Sequence, residues 1–439
     1  MESTIKARDY GVETEYIDAR GERRVVSGET IDLVLQSLTP PPRHAVVDGT
    51  LVMRPGVPPS PRVRDAAAMP LDWVVYRDEV DGLREIARAR SGRWPFSAAQ
   101  WPAGVYRVKL VDANGERDEV PLVVAPQQAF AGEFARVWVL AVQLYGLRSQ
   151  GNWGIGDFGD LLEVVRRAAR AGAAGIGLNP LHVLFDDHPA DCSPYSPSSR
   201  LFLNPLYIDV SRVPGFAAAD VSGLKDRLAA LLQAEFVDYR AVAELKWSSL
   251  RAAFARFMAA GASDERAAFA EYRRDAGKTL VRFACFEFLR HSSAAPWWDW
   301  PPQWREPDDD RLQALHDGEA ADAIAYFAFL QWIADRQLCQ CRELARELKM
   351  PIGLYLDVAV GVKMDGFDAW NAPSAIARQL SVGAPPDQLN TAGQNWGLAA
   401  FNAAGLEATL YQPYRDMLAA VMRHAGAIRL DHFNSATAR

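Results

Sequence analysis

Four apolar runs separated by helical patterns constrain the fold of this chain more than any other feature. The runs span residues 138–144, 175–181, 351–358 and 427–431, with helices predicted at 160–173 and about 411–424. None of the runs alternates apolar with polar residues. Strands of this kind are typical of a parallel sheet that is buried on both faces. The pattern predicts an α/β fold with polar residues at the carboxyl ends of its strands, where such sheets place active sites.

The remaining sequence divides into an accessory region and an insertion. Residues 1 to about 130 are predicted to form a short helical part after Ser27, a proline-rich stretch at 40–61, and then a β-sandwich-like part. Its clearest signal is a hairpin with strands at 105–110 and 120–124 that turns through Asn114-Gly115. Residues 131–439 form the second predicted domain, with a helical insertion at about 215–349.

Composition narrows the possible partners. The 439 residues are 49% hydrophobic, and Asp+Glu 55 against Lys+Arg 48 gives a net charge of -7, so the chain offers no basic face to nucleic acid or anionic lipid. No apolar run reaches the roughly 18 residues of a membrane span. The charged start Met1-Glu2-Ser3-Thr4-Ile5-Lys6 does not fit a secretory signal. We therefore predict a cytoplasmic protein with a neutral ligand, for which thirteen Trp and thirteen Tyr supply flat apolar faces.

Two short motifs suggest cofactor chemistry that their context does not support. The segment Gly154-Ile155-Gly156-Asp157-Phe158-Gly159 matches the dinucleotide fingerprint G-x-G-x-x-G. It lies about nine residues after the preceding strand, and its Asp would face the phosphates, so we predict no dinucleotide site. The four cysteines lack the spacing of a disulfide framework and are expected to be free thiols. Cys339 and Cys341 stand at i and i+2 of a helical pattern and point apart, so we expect no metal there.

Polar and aromatic residues follow the second and third strands. Tyr195 projects from a loop fixed by two prolines, and Trp396 stands beside Gln394 between two glycines; both aromatic rings suit a sugar ring. His182 is equally compatible with binding a ligand hydroxyl and with a hydrogen-bonded place in the core. Four Trp in the segment 296–304 could stack on a glycan, although a packed joint that holds the insertion is the favoured interpretation.

The last strand delivers an Arg and an Asp to the same face. Arg429 precedes Asp431 by two residues, and side chains alternate along a strand with period 2, so the guanidinium can keep the carboxylate ionised. Glycosyl transfer by double displacement needs such a carboxylate and a second, proton-donating carboxyl about 5 Å away.

Several spaced motifs together resemble the 4-α-glucanotransferases of glycoside hydrolase family 77, also called amylomaltases or disproportionating enzymes. They are Gln143-Leu144-Tyr145-Gly146-Leu147-Arg148-Ser149, Asn152-Trp153-Gly154-Ile155-Gly156-Asp157-Phe158, Ser193-Pro194-Tyr195, Ile352-Gly353-Leu354-Tyr355, Asp357-Val358-Ala359-Val360-Gly361, Gly383-Ala384-Pro385-Pro386-Asp387, Gly393-Gln394-Asn395-Trp396-Gly397 and Arg429-Leu430-Asp431-His432.

The resemblance implies a (β/α)8 TIM-type barrel with Asp431 as nucleophile and Arg429 as its charge partner. It implies contacts to α-1,4-glucans, such as maltooligosaccharides or fragments of starch and glycogen, and no metal or organic cofactor. The glucan-contacting positions that it implies are Tyr195, Asp357, Asp365, Gln394, Trp396 and His432. The family's general acid/base Glu, which follows a fifth strand, has no counterpart here. We therefore expect a barrel truncated after about the fourth strand and a chain that is inactive by itself.

Two alternative functions remain open at this point. One is a non-catalytic protein that binds glucan or regulates its metabolism. The other is a retaining hydrolase of α-glucans, which shares the chemistry of Asp431 and passes the glycosyl group to water.

Overall fold

The computed structural model describes residues 6–7, 10–18, 20–38, 40, 44, 46–79, 82–97, 101–132, 136–217 and 222–431. The chain divides into two compact units. The first unit comprises Met1–Glu133, Asp387–Thr391 and Phe401–Arg415, and the second comprises Phe134–Pro386, Ala392–Ala400 and Asp416–Arg439. The two later segments of the first unit lie outside the accessory region that the sequence suggests.

The first unit is built on a five-stranded sheet with two small two-stranded sheets. The strands of the large sheet follow the order β4-β9-β8-β6-β7, in which β4 and β9 are parallel and the other neighbours are antiparallel. β1 pairs with β2, and β3 pairs with β5. The bounds are β1 Glu15–Ile17, β2 Arg23–Val25, β3 Val47–Asp48, β4 Leu51–Met53, β5 Arg62–Val63, β6 Leu71–Glu79, β7 Gly82–Ser91, β8 Gly104–Asp112 and β9 Gly115–Val124.

The hairpin predicted around Asn114-Gly115 is confirmed as β8 and β9. Gly115 adopts a φ of 118°, which a side chain disfavours, and the backbone N–H of Asn114 donates to Asp112 Oδ1 over 2.6 Å. Trp73 on β6 is fully buried against these strands and donates its indole N–H to the carbonyl of Ser91. Helix α1, Gly28–Ser37, begins at Ser27, whose side chain accepts from the N–H of Thr30, as the amphipathic pattern after Ser27 predicts.

The second unit contains a four-stranded parallel sheet in the order β10-β11-β14-β17. The four strands of this sheet therefore lie side by side in the order in which they occur in the chain. The strands between them in sequence form two small separate sheets. β12 pairs with β13, and β15 pairs with β16. The bounds are β10 Val139–Val142, β11 Gly175–Leu178, β12 His182–Val183, β13 Ser199–Leu203, β14 Gly353–Val358, β15 Ile376–Ala384, β16 Gln394–Phe401 and β17 Ala427–Leu430.

The expectation that all four parallel strands are buried on both faces is wrong for two of them. β11 and β14 are largely buried, but Leu140 on β10 is 38% exposed and Leu430 on β17 is 36% exposed. The physical reason is the strand order, since β10 and β17 are the edge strands of the sheet in the part of the chain that the structure describes. Apolar composition alone does not separate edge from centre.

Helices pack against this sheet, and most of them lie between β13 and β14, where the sequence predicts a helical insertion. Helix α8 packs against α2, α5 and β14. The bounds are α2 Phe158–Arg170, α3 Lys225–Gln233, α4 Tyr239–Ala260, α5 Ser263–His291, α6 Pro302–Arg305, α7 Asp309–His316, α8 Ala321–Glu347, α9 Phe367–Asn371, α10 Ala403–Ala408 and α11 Gln412–Met422. No helix among the described residues is long and apolar enough to span a bilayer.

The glycines of the G-x-G-x-x-G segment have structural roles at the start of α2. A Cβ on Gly156 would lie 1.9 Å from the carbonyl oxygen of Leu144, and one on Gly159 would lie 2.4 Å from Asp209 Oδ2. Asp157 caps α2 by accepting from the N–H groups of Gly159 and Asp160. A carboxylate therefore occupies the helix N-terminus, where a pyrophosphate would have to bind.

Several side chains singled out in the sequence belong to the core. Trp297 and Trp300 are buried and donate to backbone carbonyls, which confirms a packed joint for these two members of the Trp cluster. His182 is buried and its Nε2 accepts from the N–H of Ala359 over 3.3 Å, and burial lowers its pKa to about 3. The four cysteines are free thiols, as predicted.

Candidate active site

The carboxyl ends of β14 and β17 bring three charged residues together. The two strands are parallel neighbours, and Asp357 lies directly opposite Arg429 in their register. Asp431 follows the last residue of β17. Because Arg429 and Asp431 are two residues apart, their side chains leave the strand on the same side.

One guanidinium joins both carboxylates. Arg429 Nη1 lies 2.6 Å from Asp357 Oδ2, and Arg429 Nη2 lies 2.8 Å from Asp431 Oδ1. The predicted pairing of Arg429 with Asp431 is confirmed. The ion pair with Asp357 is a contact that sequence reasoning missed, although both residues stand at the ends of predicted strands. Knowing which strands are neighbours would have revealed it.

Burial and charge act in opposite directions at Asp357. Its side chain is only 6% exposed, and this burial raises the pKa of Asp357, while the hydrogen bond and charge of Arg429 oppose the rise. The hydrogen bond to Asp357 in turn raises the pKa of Arg429. The guanidinium of Arg429 therefore stays charged and is half-exposed. It contacts the buried carboxylate of Asp357 and the more accessible carboxylate of Asp431.

Tyr195 lies close enough to the three charged residues for their charges to affect its pKa. It is 41% exposed on the turn after Pro194, where the N–H of Ser196 donates to the carbonyl of Ser193. Partial burial raises the pKa of Tyr195, and the negative charge of Asp357 adds to the rise. The phenol therefore remains protonated, and its exposed ring can contact an apolar face of a bound molecule.

Gln394 and Trp396 lie on strand β16, although the sequence suggests a flexible segment between glycines. The indole N–H of Trp396 donates to Gln394 Oε1 over 3.2 Å, so the two side chains are on the same face. Gly393 and Gly397, which flank them, have φ of 74° and 68°. A left-handed backbone at both ends gives this short segment a defined shape rather than a flexible one.

One predicted site residue, Asp365, does not join the charged group. Asp365 is half-buried on the turn before α9, and no hydrogen bond or ion pair among the described residues links it to Asp357, Arg429 or Asp431. His432 lies outside the described residues.

The geometry of the three charged residues suits nucleophilic catalysis. A guanidinium orients the carboxylate that it contacts, and an accessible carboxylate can attack an electrophilic carbon. Reaction with a glycoside also requires a proton for the leaving oxygen. Asp431 is the more exposed of the two carboxylates, at 22% against 6% for Asp357, and so is the better candidate nucleophile.

Comparison with known proteins identifies the family. A family model described as 4-alpha-glucanotransferase, of glycoside hydrolase family 77, matches residues 142–438. The chain belongs to the 4-alpha-glucanotransferase family. The matched span contains every residue of the charged group and all the other predicted site residues.

Two relatives illustrate how far the 4-alpha-glucanotransferase similarity extends. The chain is 31% identical over 452 residues to a 4-alpha-glucanotransferase from Haemophilus influenzae, and 31% identical over 467 residues to one from Mycobacterium tuberculosis. Each alignment covers 97% of this chain and 64% of the relative. The chain thus spans a little under two thirds of the length of these 4-alpha-glucanotransferases.

Solved structures show that the chain has the α/β fold of the 4-alpha-glucanotransferase family. A crystal structure of amylomaltase from Corynebacterium glutamicum superposes with a TM-score of 0.74 at 26% identity, covering 98% of this chain and 65% of that one. An amylomaltase from Streptococcus agalactiae gives a TM-score of 0.57 at 20% identity over 68% of this chain and 60% of its own, a similarity of fold alone.

Proposed function

We propose that this chain carries the nucleophile of a 4-α-glucanotransferase, which transfers segments of α-1,4-glucan between maltooligosaccharides by a retaining double displacement. The observation that carries the proposal is the double ion pair of Arg429 with Asp357 and Asp431 at the ends of neighbouring parallel strands. Membership of the 4-alpha-glucanotransferase family supports the same reaction.

The first half of the reaction assigned to Asp431 forms a glycosyl ester. A carboxylate oxygen of Asp431 attacks the anomeric carbon from the β face, the α-1,4 bond breaks, and the departing 4-oxygen takes a proton from a second carboxyl group. The family resemblance assigns that proton to a Glu after a fifth strand. Arg429 Nη2, 2.8 Å from Asp431 Oδ1, orients this carboxylate for the attack.

The second half passes the glycosyl group to an acceptor. The 4-hydroxyl of another glucan attacks the same carbon and passes its proton to the second carboxyl group, which lost its own proton in the first half. Asp431 leaves as a carboxylate, so the α configuration is retained. We assign glucan contacts to Tyr195, Asp357, Asp365, Gln394, Trp396 and His432. An aromatic and amide-lined acceptor side would favour a sugar hydroxyl over water.

We also propose that the parallel sheet belongs to a (β/α)8 barrel. In the sheet, strand order follows chain order without reversal. Doubly wound open sheets reverse direction at a switch point, whereas barrels add each strand beside the previous one. From the composition we further propose that the protein is cytoplasmic and that its glucan substrates are neutral.

The nucleophile can be tested without a proton donor by using α-maltosyl fluoride, because fluoride leaves without being protonated. We expect the 439-residue chain to release fluoride and to gain one maltosyl group, detected by mass spectrometry of acid-quenched samples and located on the peptide with Asp431. Asp431→Asn should abolish both signals. Asp317→Asn, which removes an exposed carboxylate paired with His316, is the matched control and should leave both unchanged.

The same assay separates the alternative functions. Fluoride release whose products are unaffected by added maltose would identify a hydrolase, while longer products with maltose would support transfer. If no fluoride is released but maltoheptaose still binds, the proposed nucleophilic role is wrong and a binding protein is the better description.

A further inference from the structure

A second group of charged residues lies away from the β14 and β17 ends. Asp186 follows β12, and Glu287 and His291 are one turn apart on α5, so the two helical residues share a face. One potential ligand atom from each of these three residues lies within 4.8 Å of the others. The mechanism proposed above uses none of them.

Arg290 binds one oxygen of Asp186 and one oxygen of Glu287. Arg290 Nη2 donates to Glu287 Oε2 over 2.8 Å and also to Asp186 Oδ1. Its Nη1 donates to Asp187. The second oxygen of Asp186, Oδ2, lies 3.0 Å from His291 Nε2. Arg290 Nη2 also lies 3.4 Å from His291 Nε2, so the guanidinium contacts all three residues and orients them, as outer partners of metal ligands commonly do.

The other oxygen of Glu287 has no partner. Glu287 is 4% exposed, and its Oε1 is buried without a hydrogen bond from any described residue. An unpaired buried carboxylate oxygen is costly in a folded protein. Burial raises the pKa of Glu287, as expected for a charge that lacks a sufficient counterion.

The charges of the group do not balance. Asp186, Asp187 and Glu287 carry three negative charges when ionised, and Arg290 supplies one positive charge in contact with all three. Three carboxyl groups therefore share one guanidinium, with His291 and His188 as further partners of Asp186 and Asp187.

We propose that Asp186, Glu287 and His291 bind a divalent transition metal ion such as Mn²⁺ or Zn²⁺. An imidazole nitrogen with two carboxylate oxygens suits these ions, whereas Ca²⁺ and Mg²⁺ prefer oxygen ligands alone. The ion would bind Glu287 Oε1 and Asp186 Oδ2, the oxygens that do not accept from Arg290, and would replace the contact between His291 and Asp186.

The ion would have a structural role. It would tie the segment after β12 to α5, and that segment leads through Asp191, which pairs with Lys363, to Tyr195 at the proposed active site. Such a bond would restrict the loop that carries Tyr195 without taking part in glycosyl transfer.

Metal binding can be measured on the 439-residue chain after dialysis against EDTA. We expect calorimetric titration with Mn²⁺ alone to show one site per chain, and the melting temperature to rise with Mn²⁺. Mn²⁺ is the primary probe because the free thiols of Cys192 and Cys339 would also bind Zn²⁺. Glu287→Gln and His291→Gln should each weaken binding at least about tenfold.

His188→Gln is the matched control, since His188 is an exposed imidazole that pairs with Asp187 outside the three ligands. It should leave the affinity unchanged. Glu287→Gln keeps the size of the side chain and an amide oxygen that can still accept from Arg290. If this variant does not fold, His291→Gln provides the independent measurement. Absence of a saturable Mn²⁺ site, or equal affinity in the wild type and both variants, would overturn the proposal.

Discussion

Arg429 donates to Asp357 Oδ2 over 2.6 Å, although the two residues are 72 positions apart in the chain. The contact arises because β14 and β17 are neighbours in register. Arg429 thereby becomes the shared counterion of a buried and an accessible carboxylate, and its planar guanidinium has separate N–H groups for each.

Replacing Arg429 by Lys should slow the reaction of Asp431 while keeping the positive charge. A lysine ammonium lacks the fork that reaches both carboxylates, and a hydrogen bond to a charged group contributes about 1.5–3 kcal/mol. We expect fluoride release from α-maltosyl fluoride to fall about 10- to 100-fold. The control Arg167→Lys changes a mostly exposed Arg paired within α2 and should have no effect. A wild-type rate in Arg429→Lys would refute the shared-counterion role.

Removing the indole of Trp396 should change how the glycosyl group is partitioned. With the acceptor side weakened, water competes better for the ester, so Trp396→Ala should lower the ratio of transfer to hydrolysis. The ratio is measured from α-maltosyl fluoride with maltose as acceptor. Trp298→Ala removes another indole, 36% exposed, from the joint of the insertion and should not alter it. An unchanged ratio in Trp396→Ala would count against an acceptor contact.

Lys246 should be a major source of stability in the second unit. It is fully buried, donates to the carbonyls of Leu206 and Ile208 over 2.7 and 2.8 Å, and lies 3.7 Å from Asp157. Burial raises the pKa of Asp157 to about 6, and the charge of Lys246 limits the rise. Removing one partner of a buried ion pair costs about 3–5 kcal/mol, so we expect Lys246→Met to lose that much in urea unfolding.

The matched control for that substitution is Lys278→Met. Lys278 is 81% exposed and pairs with Asp309 on the surface. Exposed ion pairs contribute about 0–1 kcal/mol, so this variant should unfold close to the wild type. Equal losses in the two variants would contradict the importance assigned to burial.

Stability of the first unit should fall at alkaline pH because of His44. His44 Nδ1 lies 3.1 Å from Asp118 and Nε2 lies 3.8 Å from Glu407, and these partners raise the pKa of His44 to about 9. A raised folded-state pKa means that the contribution is complete below the ordinary value near 6.5 and is lost as pH rises through about 9.

The corresponding measurement is the melting temperature between pH 6 and pH 10. Each pKa unit corresponds to about 1.4 kcal/mol, so the wild type should lose roughly 3 kcal/mol over this range from His44. His44→Gln should show a clearly smaller decrease in melting temperature. His188→Gln, which changes an exposed His, should keep the wild-type slope. Parallel curves for His44→Gln and the wild type would exclude this linkage.

Local patterns were sufficient to predict much of the fold. The parallel strands, the hairpin at Asn114-Gly115 and the helical insertion follow from periodicity and turn chemistry, which act over a few residues. The pairing of Arg429 with Asp431 was equally accessible, because residues two apart on a strand always share a face. The dinucleotide motif could be rejected because an acidic residue stands where the phosphates would bind. In the structure that residue, Asp157, caps α2.

Other features depend on which distant segments meet. β10 and β17 are exposed because they lie at the edges of the sheet. The apolar sequences of the edge strands do not differ recognisably from those of the central strands. The ion pair of Arg429 with Asp357 depends on strand neighbours, and the group of Asp186, Glu287 and His291 depends on a loop meeting a helix about a hundred residues later.

The sequence by itself determined the family, the strands and the residue types available for chemistry, since these are properties of short segments. Tertiary structure decided which carboxylates share Arg429 and which carboxylate oxygen is left buried without a partner on Glu287. The physical reason is that charge interactions and burial depend on distances in space, and those distances are set by sheet order and helix packing.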